Sequence, residues 1–281
     1  MNSTSVRTDS RDTARLVSWV VVALMAASSA AGLLVPGLYR DPPEVVAELR
    51  AYDLVSLVLA TPVLIGALVA ERRGAVLART VWLGSMMYAF YNYAIYAIGS
   101  AFNGLFLVHA ALLPMSVTVA VLLWRDVDAA GVRERFRRST PVRSVSAVLA
   151  LAGVGLAGTW VFQSLRFAVT GTPPDESELV LPMAAVHLAY VLDLTFFAPM
   201  CVLASVLLWR RDPQGFVLAT AVLVFGALYQ VNYVVALVSQ SWAGIEGARG
   251  FDPAEPFVVA VFTVALVVMV LPERRTTRDR R

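Results

Sequence analysis

Apolar residues along this chain gather into eight long runs, at about 16–37, 52–70, 75–99, 104–124, 145–166, 184–209, 215–239 and 256–272, separated by short polar stretches. A helix needs about 20 apolar residues to cross a hydrocarbon core ~30 Å thick. Lipid offers exposed backbone amides and carbonyls no partner, so runs of this length form helices rather than open strands. The pattern predicts an all-α fold: a multi-pass transmembrane helical bundle of about eight spans. The first run, "VSWVVVALMAASSAAG" after Arg7, Arg11 and Arg15, has the cast of a signal peptide with small residues at a cleavage point. It continues through "LLVPGLY", however, and we expect it to be kept as the first span.

The runs rhyme in two sets of four. Asp53-Leu54 opens the second run and Asp193-Leu194 sits in the sixth, while Asn92-Tyr93 answers Asn232-Tyr233, with 39 residues from Asp to Asn in each set. Between them Arg72-Arg73 is matched by Arg210-Arg211 and "GAVLA" by "GFVLA", and Pro42-Pro43 and Pro173-Pro174 precede. The spacing suggests a tandem duplication of a four-helix unit. The expected division is a tail at 1–15, a first unit at 16–124, an Arg-rich linker at 125–143, a second unit at 144–272 and a tail at 273–281. An even number of spans per unit leaves both units pointing the same way, related by an axis along the membrane normal. The small-residue stretches "AASSAAG" and "AGVGLAG" would let backbones approach closely, as helix association in lipid requires.

Charge sets the orientation. All 23 basic residues are arginine, and 19 of them fall on the side that carries the N-terminus when the loops are taken alternately. Only Arg40, Arg50, Arg166 and Arg249 fall on the other. Arginine held in short loops on one side marks that side as cytoplasmic. Trp124 and Trp209, each just before an arginine, suit its interface. We therefore expect a plasma-membrane protein with both termini in the cytoplasm. Composition agrees, at 58% hydrophobic with a mean hydropathy of +0.70, against about 45–50% apolar in soluble domains. The arginines are scattered over many loops, which gives no nucleic-acid partner a face to bind. The single cysteine, Cys201, excludes a disulfide within one chain.

With each span's direction assigned, the strongly polar side chains fall at the arginine-poor end. Asp53 is expected at the start of the second span, His109 just inside the fourth, and His187 and Asp193 in the outer half of the sixth. Asn92 and Tyr93 lie near the end of the third, Asn232 and Tyr233 near the end of the seventh. Tyr88, Asn92 and Tyr96 recur at i, i+4 and i+8, which makes one stripe of the third helix, able to face Asp53 on the neighbouring span. A carboxylate, amides and phenols are costly against acyl chains and suited to a hydrated or ligand-filled cleft. The candidate binding residues are thus Asp53, Asp193, Asn92, Asn232, Tyr88, Tyr93, Tyr96, Tyr233, His109 and His187, with Tyr190 or Arg166 as partner for Asp193. The plainer alternative for each is structural: a first-turn acid favoured by the helix dipole for Asp53, interhelical hydrogen bonds for the asparagines, an interfacial ring for Tyr96.

No catalytic motif stands out: a glycine-rich phosphate loop, HExxH and GxSxG are all missing. His109 and His187 could supply one pair of axial haem ligands, or a metal site with Asp193, but packed or cleft-lining histidine is the default, and no cofactor or metal is expected. The stretch "DLVSLVLATPVLIGALVAERRG" through "YNYAIYAIGSAFNGLFLVHAALL" (53–113) resembles an uncharacterised family of bacterial and archaeal polytopic membrane proteins. There an Asp-Leu helix start, an Arg-rich inner turn and a Tyr-Asn-Tyr helix recur. The resemblance implies a membrane location and many spans and supplies no activity. Three functional readings stay open beside the lipid bilayer itself. They are a carrier or binder of a small solute or amphiphile, a structural or assembly partner of other membrane proteins, and a membrane redox enzyme.

Overall fold

The computed structural model describes residues 3–174, 179–251 and 254–270, and among these every regular element is helical. The tail expected at 273–281 and the last residues of the eighth run lie outside the described residues. In chain order the helices are α1 (Ser3–Leu34), α2 (Pro43–Arg72), α3 (Ala78–Ala94, continued by a π-helical turn, Ile95–Gly99), α4 (Phe106–Asp126), α5 (Ala129–Glu134), α6 (Val142–Thr170), α7 (Met183–Trp209), α8 (Pro213–Trp242) and α9 (Ala254–Val270). Six of them (α1 from Ser10, α2, α4, α6, α7 and α8) are long and apolar enough to cross a membrane. Their outward faces stay apolar, with Leu107, Leu151, Phe162 and Leu165 exposed, a surface that lipid solvates and water does not. The chain is a multi-pass helical membrane bundle.

The two remaining long runs form α3 and α9. α3 carries phenols and an amide that acyl chains would resist, and the protein encloses it: Trp82, Tyr88, Tyr91, Asn92, Tyr93 and Tyr96 are all buried. The linker at 125–143 contributes the short helix α5, which Asp128 caps by accepting from the Gly131 amide and which packs on α8.

α2 begins at Pro43, well before the apolar run suggests. Proline suits the first position of a helix, where its missing N–H has no partner to lose and its φ is already helical. The turns after it bury Val45, Glu48, Leu49 and Tyr52 on one face. Asp53 therefore lies inside a long helix and not in a first turn. Both α2 and α7 pass through a π-helical segment, Ser56–Ala60 and Asp193–Phe197. Two residues past the end of each stands a proline, Pro62 or Pro199, whose ring crowds the carbonyl four residues back and whose nitrogen donates nothing. A wider turn absorbs both faults, although Pro114 is accommodated within α4 without one.

The four long helices of each half pack in the same cyclic order. α1 touches α2 and α4, and α3 touches α2 and α4; likewise α6 touches α7 and α9, and α8 touches α7 and α9. The halves meet chiefly where α3 packs against α8, with α8 also on α2 and the end of α3 on α7. Gly84 makes the central contact possible, since a Cβ there would run into the Ala221 carbonyl oxygen and the Val224 side chain. At the arginine-rich end Glu71 is clamped by Arg15 and Arg79, at 2.8 and 3.0 Å, tying α1 and the start of α3 to the end of α2.

Candidate functional site

Between the two halves, at the arginine-poor end, lies a cavity of about 350 Å³. Its walls come from α2, the end of α3, α6, α7, α8, the start of α9 and the segment Leu179–Leu181. Most of the wall is aliphatic or aromatic, and two carboxylates, Glu48 and Asp193, reach it.

Each acid is placed by local structure. Glu48 stands one turn before Tyr52 on the buried face of α2, and the Tyr52 hydroxyl donates to Glu48 Oε1 at 2.7 Å. Asp193 opens the π-helical segment of α7. Its Oδ1 accepts from the Tyr91 hydroxyl of α3 at 2.7 Å, and its Oδ2 from the Trp160 indole N–H of α6 at 2.9 Å. These partners replace the Tyr190 or Arg166 expected from sequence. Tyr190 instead lays its ring on Trp160, with centroids 4.1 Å apart, and Tyr229 Oη lies 3.2 Å from Tyr91 Oη. The acid of α7 is thus held by donors from two other helices, α3 and α6.

The segment Leu179–Leu181 is fastened over this region by Gln240 of α8. Its side-chain oxygen accepts from the Val180 amide at 2.9 Å, and its nitrogen donates to the Val180 carbonyl at 2.9 Å and the Glu44 carbonyl at 3.0 Å. Gln240→Ala removes all three bonds. Exchange of the Val180 amide hydrogen, followed by mass spectrometry, is expected to quicken about fivefold, as loss of a hydrogen bond worth ~1 kcal/mol would do.

Of the ten residues singled out from sequence, Asp193 and Tyr233 line the cavity. Seven others belong to packed hydrogen-bonded or stacked groups beside it. Asn92 donates to Ser56 Oγ at 3.2 Å, Ser56 and Tyr88 hydroxyls are 2.9 Å apart, and Tyr88 donates to Asn232 Oδ1 at 3.1 Å. Asn232 Nδ2 then donates back to Asn92 Oδ1 at 2.9 Å, closing a ring of four side chains across α2, α3 and α8. Asp53 lies against Gly32 of α1, where any Cβ would collide with it. It accepts from Tyr39 at 2.6 Å and from Tyr96 at 3.0 Å. Tyr39 sits in the α1–α2 connection, and burial with the nearby Asp53 carboxylate pushes its phenol well above the usual range, so it remains a donor. Tyr93 reaches Ser28 at 3.4 Å, and His109 is buried against the Tyr93 and Tyr96 rings. The tenth, His187, stands exposed on α7. The two imidazoles that a haem site would pair thus occupy different surroundings.

Sequence reasoning missed Glu48, which fell outside the apolar runs, Tyr52 at the first position of the second run, and the cavity faces of Trp160 and Tyr229. A signal existed for the first pair: Val45, Glu48, Leu49 and Tyr52 follow helical spacing immediately after Pro42-Pro43. Among the described residues no group of three or more His, Cys, Asp or Glu is placed to hold a metal ion. No family model, no curated protein and no solved structure matches this chain.

Proposed function

We propose that the protein is a binder or carrier of a small amphiphilic solute, which it takes up in the cavity between its two halves. The observation that carries this reading is the cavity itself. At about 350 Å³ it falls within the ~300–1,000 Å³ of small-molecule sites, and it has their make-up of apolar walls with a few convergent polar groups. The buried carboxylates are costly in a membrane bundle unless they serve something there.

In this reading all eight apolar helices span the plasma membrane, the arginine-rich end is cytoplasmic, and the cavity opens in the outer leaflet half. The chain is a tandem pair of four-helix units. Support for the pair comes from the shared cyclic packing order and from Asn92 and Asn232, which hold matching places in the two sets and bond to each other at the α3–α8 contact. The cavity favours a solute-binding role over a purely structural one because an assembly partner has no use for a solute-sized opening.

Ala152 lines the cavity from α6, where it is half-buried. Ala152→Trp is expected to fill the space and leave the fold in place. Native mass spectrometry of protein released from lipid nanodiscs should show a small molecule on the wild type at near one per chain and at least tenfold less on the variant. Equal loading of the two proteins, or bare protein in both, contradicts the proposal.

A further inference from the structure

We infer that the solute is an organic cation with an apolar body, its charge held between Glu48 and Asp193. This rests on the cavity reading and narrows it. Both acids line the cavity and are almost wholly buried, 5% and 2% exposed. Among the described residues no arginine pairs with either; the ion pairs gather at the arginine-rich end, on Glu71, Asp126 and Asp12. The donors they do have are neutral, Tyr52 for Glu48 and Tyr91 with Trp160 for Asp193, and Glu48 Oε2 has no donor among the described residues. Two buried carboxylates facing one void without a counter-charge are complementary to a positive ligand and repel an anionic one.

The walls favour the same class. Trp160 stacked on Tyr190 stands beside Asp193, and Tyr52, Tyr91, Tyr229 and Tyr233 complete a set of electron-rich rings around the space. Ring faces attract an ammonium group, most strongly when it leaves water. Leu49, Leu181, Val186 and Leu188 offer the remaining wall to an apolar body.

The test compares benzyltrimethylammonium with neopentylbenzene, which has the same shape with carbon in place of the charged nitrogen. Each is titrated calorimetrically into the full-length protein in lipid nanodiscs, with empty nanodiscs as the blank. The cation is expected to bind at least tenfold tighter than its neutral isostere. Glu48→Gln with Asp193→Asn should erase that preference and leave the isostere's affinity as it was. Equal affinity of the two compounds for the wild type overturns the inference, as does a preference that survives in the double variant. The wild-type comparison decides the matter even where the double variant does not fold. Binding of the isostere without preference for the cation leaves the cavity reading standing, whereas binding of neither compound removes both.

Discussion

Gly84→Val is expected to destabilise the protein by about 3 kcal/mol, the upper end of what overpacking a well-filled interior costs. The reason lies in what Gly84 meets. A Cβ at this position comes 2.5 Å from the Ala221 carbonyl oxygen and 2.8 Å from Val224 Cβ. The first is backbone of α8 and cannot rotate away, so α3 and α8 must separate along the contact that joins the two halves. Separation also strains the Asn92–Asn232 bond two helical turns further along α3. Thermal unfolding of the protein in nanodiscs, followed by tryptophan fluorescence, should show the midpoint fall by roughly 8 °C. A fall of under 2 °C would mean that the α3–α8 packing is looser than described.

Asn232→Leu should cost about 2–3 kcal/mol, although leucine is the better residue against lipid. Asn232 is buried, and its removal leaves Asn92 Oδ1 without its donor and takes from Tyr88 one of its two partners, Ser56 being the other. A buried polar group left unpaired costs about 1–3 kcal/mol; Asn92 Oδ1 is left so here, and the bond from Tyr88 is lost besides. Interhelical hydrogen bonds in membranes average nearer 0.6 kcal/mol, because the separated helices find other partners. The larger figure is expected at this site because the ring is closed on itself and walled in by α2, α3 and α8. Asn92→Leu alone should cost about as much. The double variant should cost clearly less than the sum, since each asparagine then no longer strands the other. Strict additivity in the same unfolding assay would show that the two amides do not depend on each other.

The membrane-spanning runs were legible because the length of an apolar stretch is a one-dimensional quantity that bilayer thickness sets directly. The direction of the Tyr88, Asn92 and Tyr96 stripe was legible too, because helical spacing fixes which side chains share a face: Tyr88 and Asn92 meet Ser56, and Tyr96 meets Asp53, all on α2. Spacing cannot tell a stripe that lines an open cleft from one that is satisfied within the protein. Asn92 and Asn232 use each other's hydrogen-bonding groups, and that pairing joins helices 140 residues apart. The start of α2 was obscured because Glu44, Glu48 and Arg50 lower its hydropathy, while Pro43 signals a helix by its backbone and not by its apolarity. The cavity left no mark at all. It is the space between Ala152, Ala185, Ala189 and the rings opposite, and empty volume belongs to the way helices meet rather than to any one of them.

A small uncharged molecule is expected to enter the space between the two halves. Photolabelling of the wild type and of Ala152→Trp with phenyl(trifluoromethyl)diazirine, a reagent of that kind, followed by peptide mapping, reads this out. Labelling of the 152–160 and 185–193 segments should saturate with reagent concentration in the wild type and be lost in the variant. Labelling that never saturates, confined to lipid-facing side chains such as Leu151 and Phe162 and alike in both proteins, would contradict it.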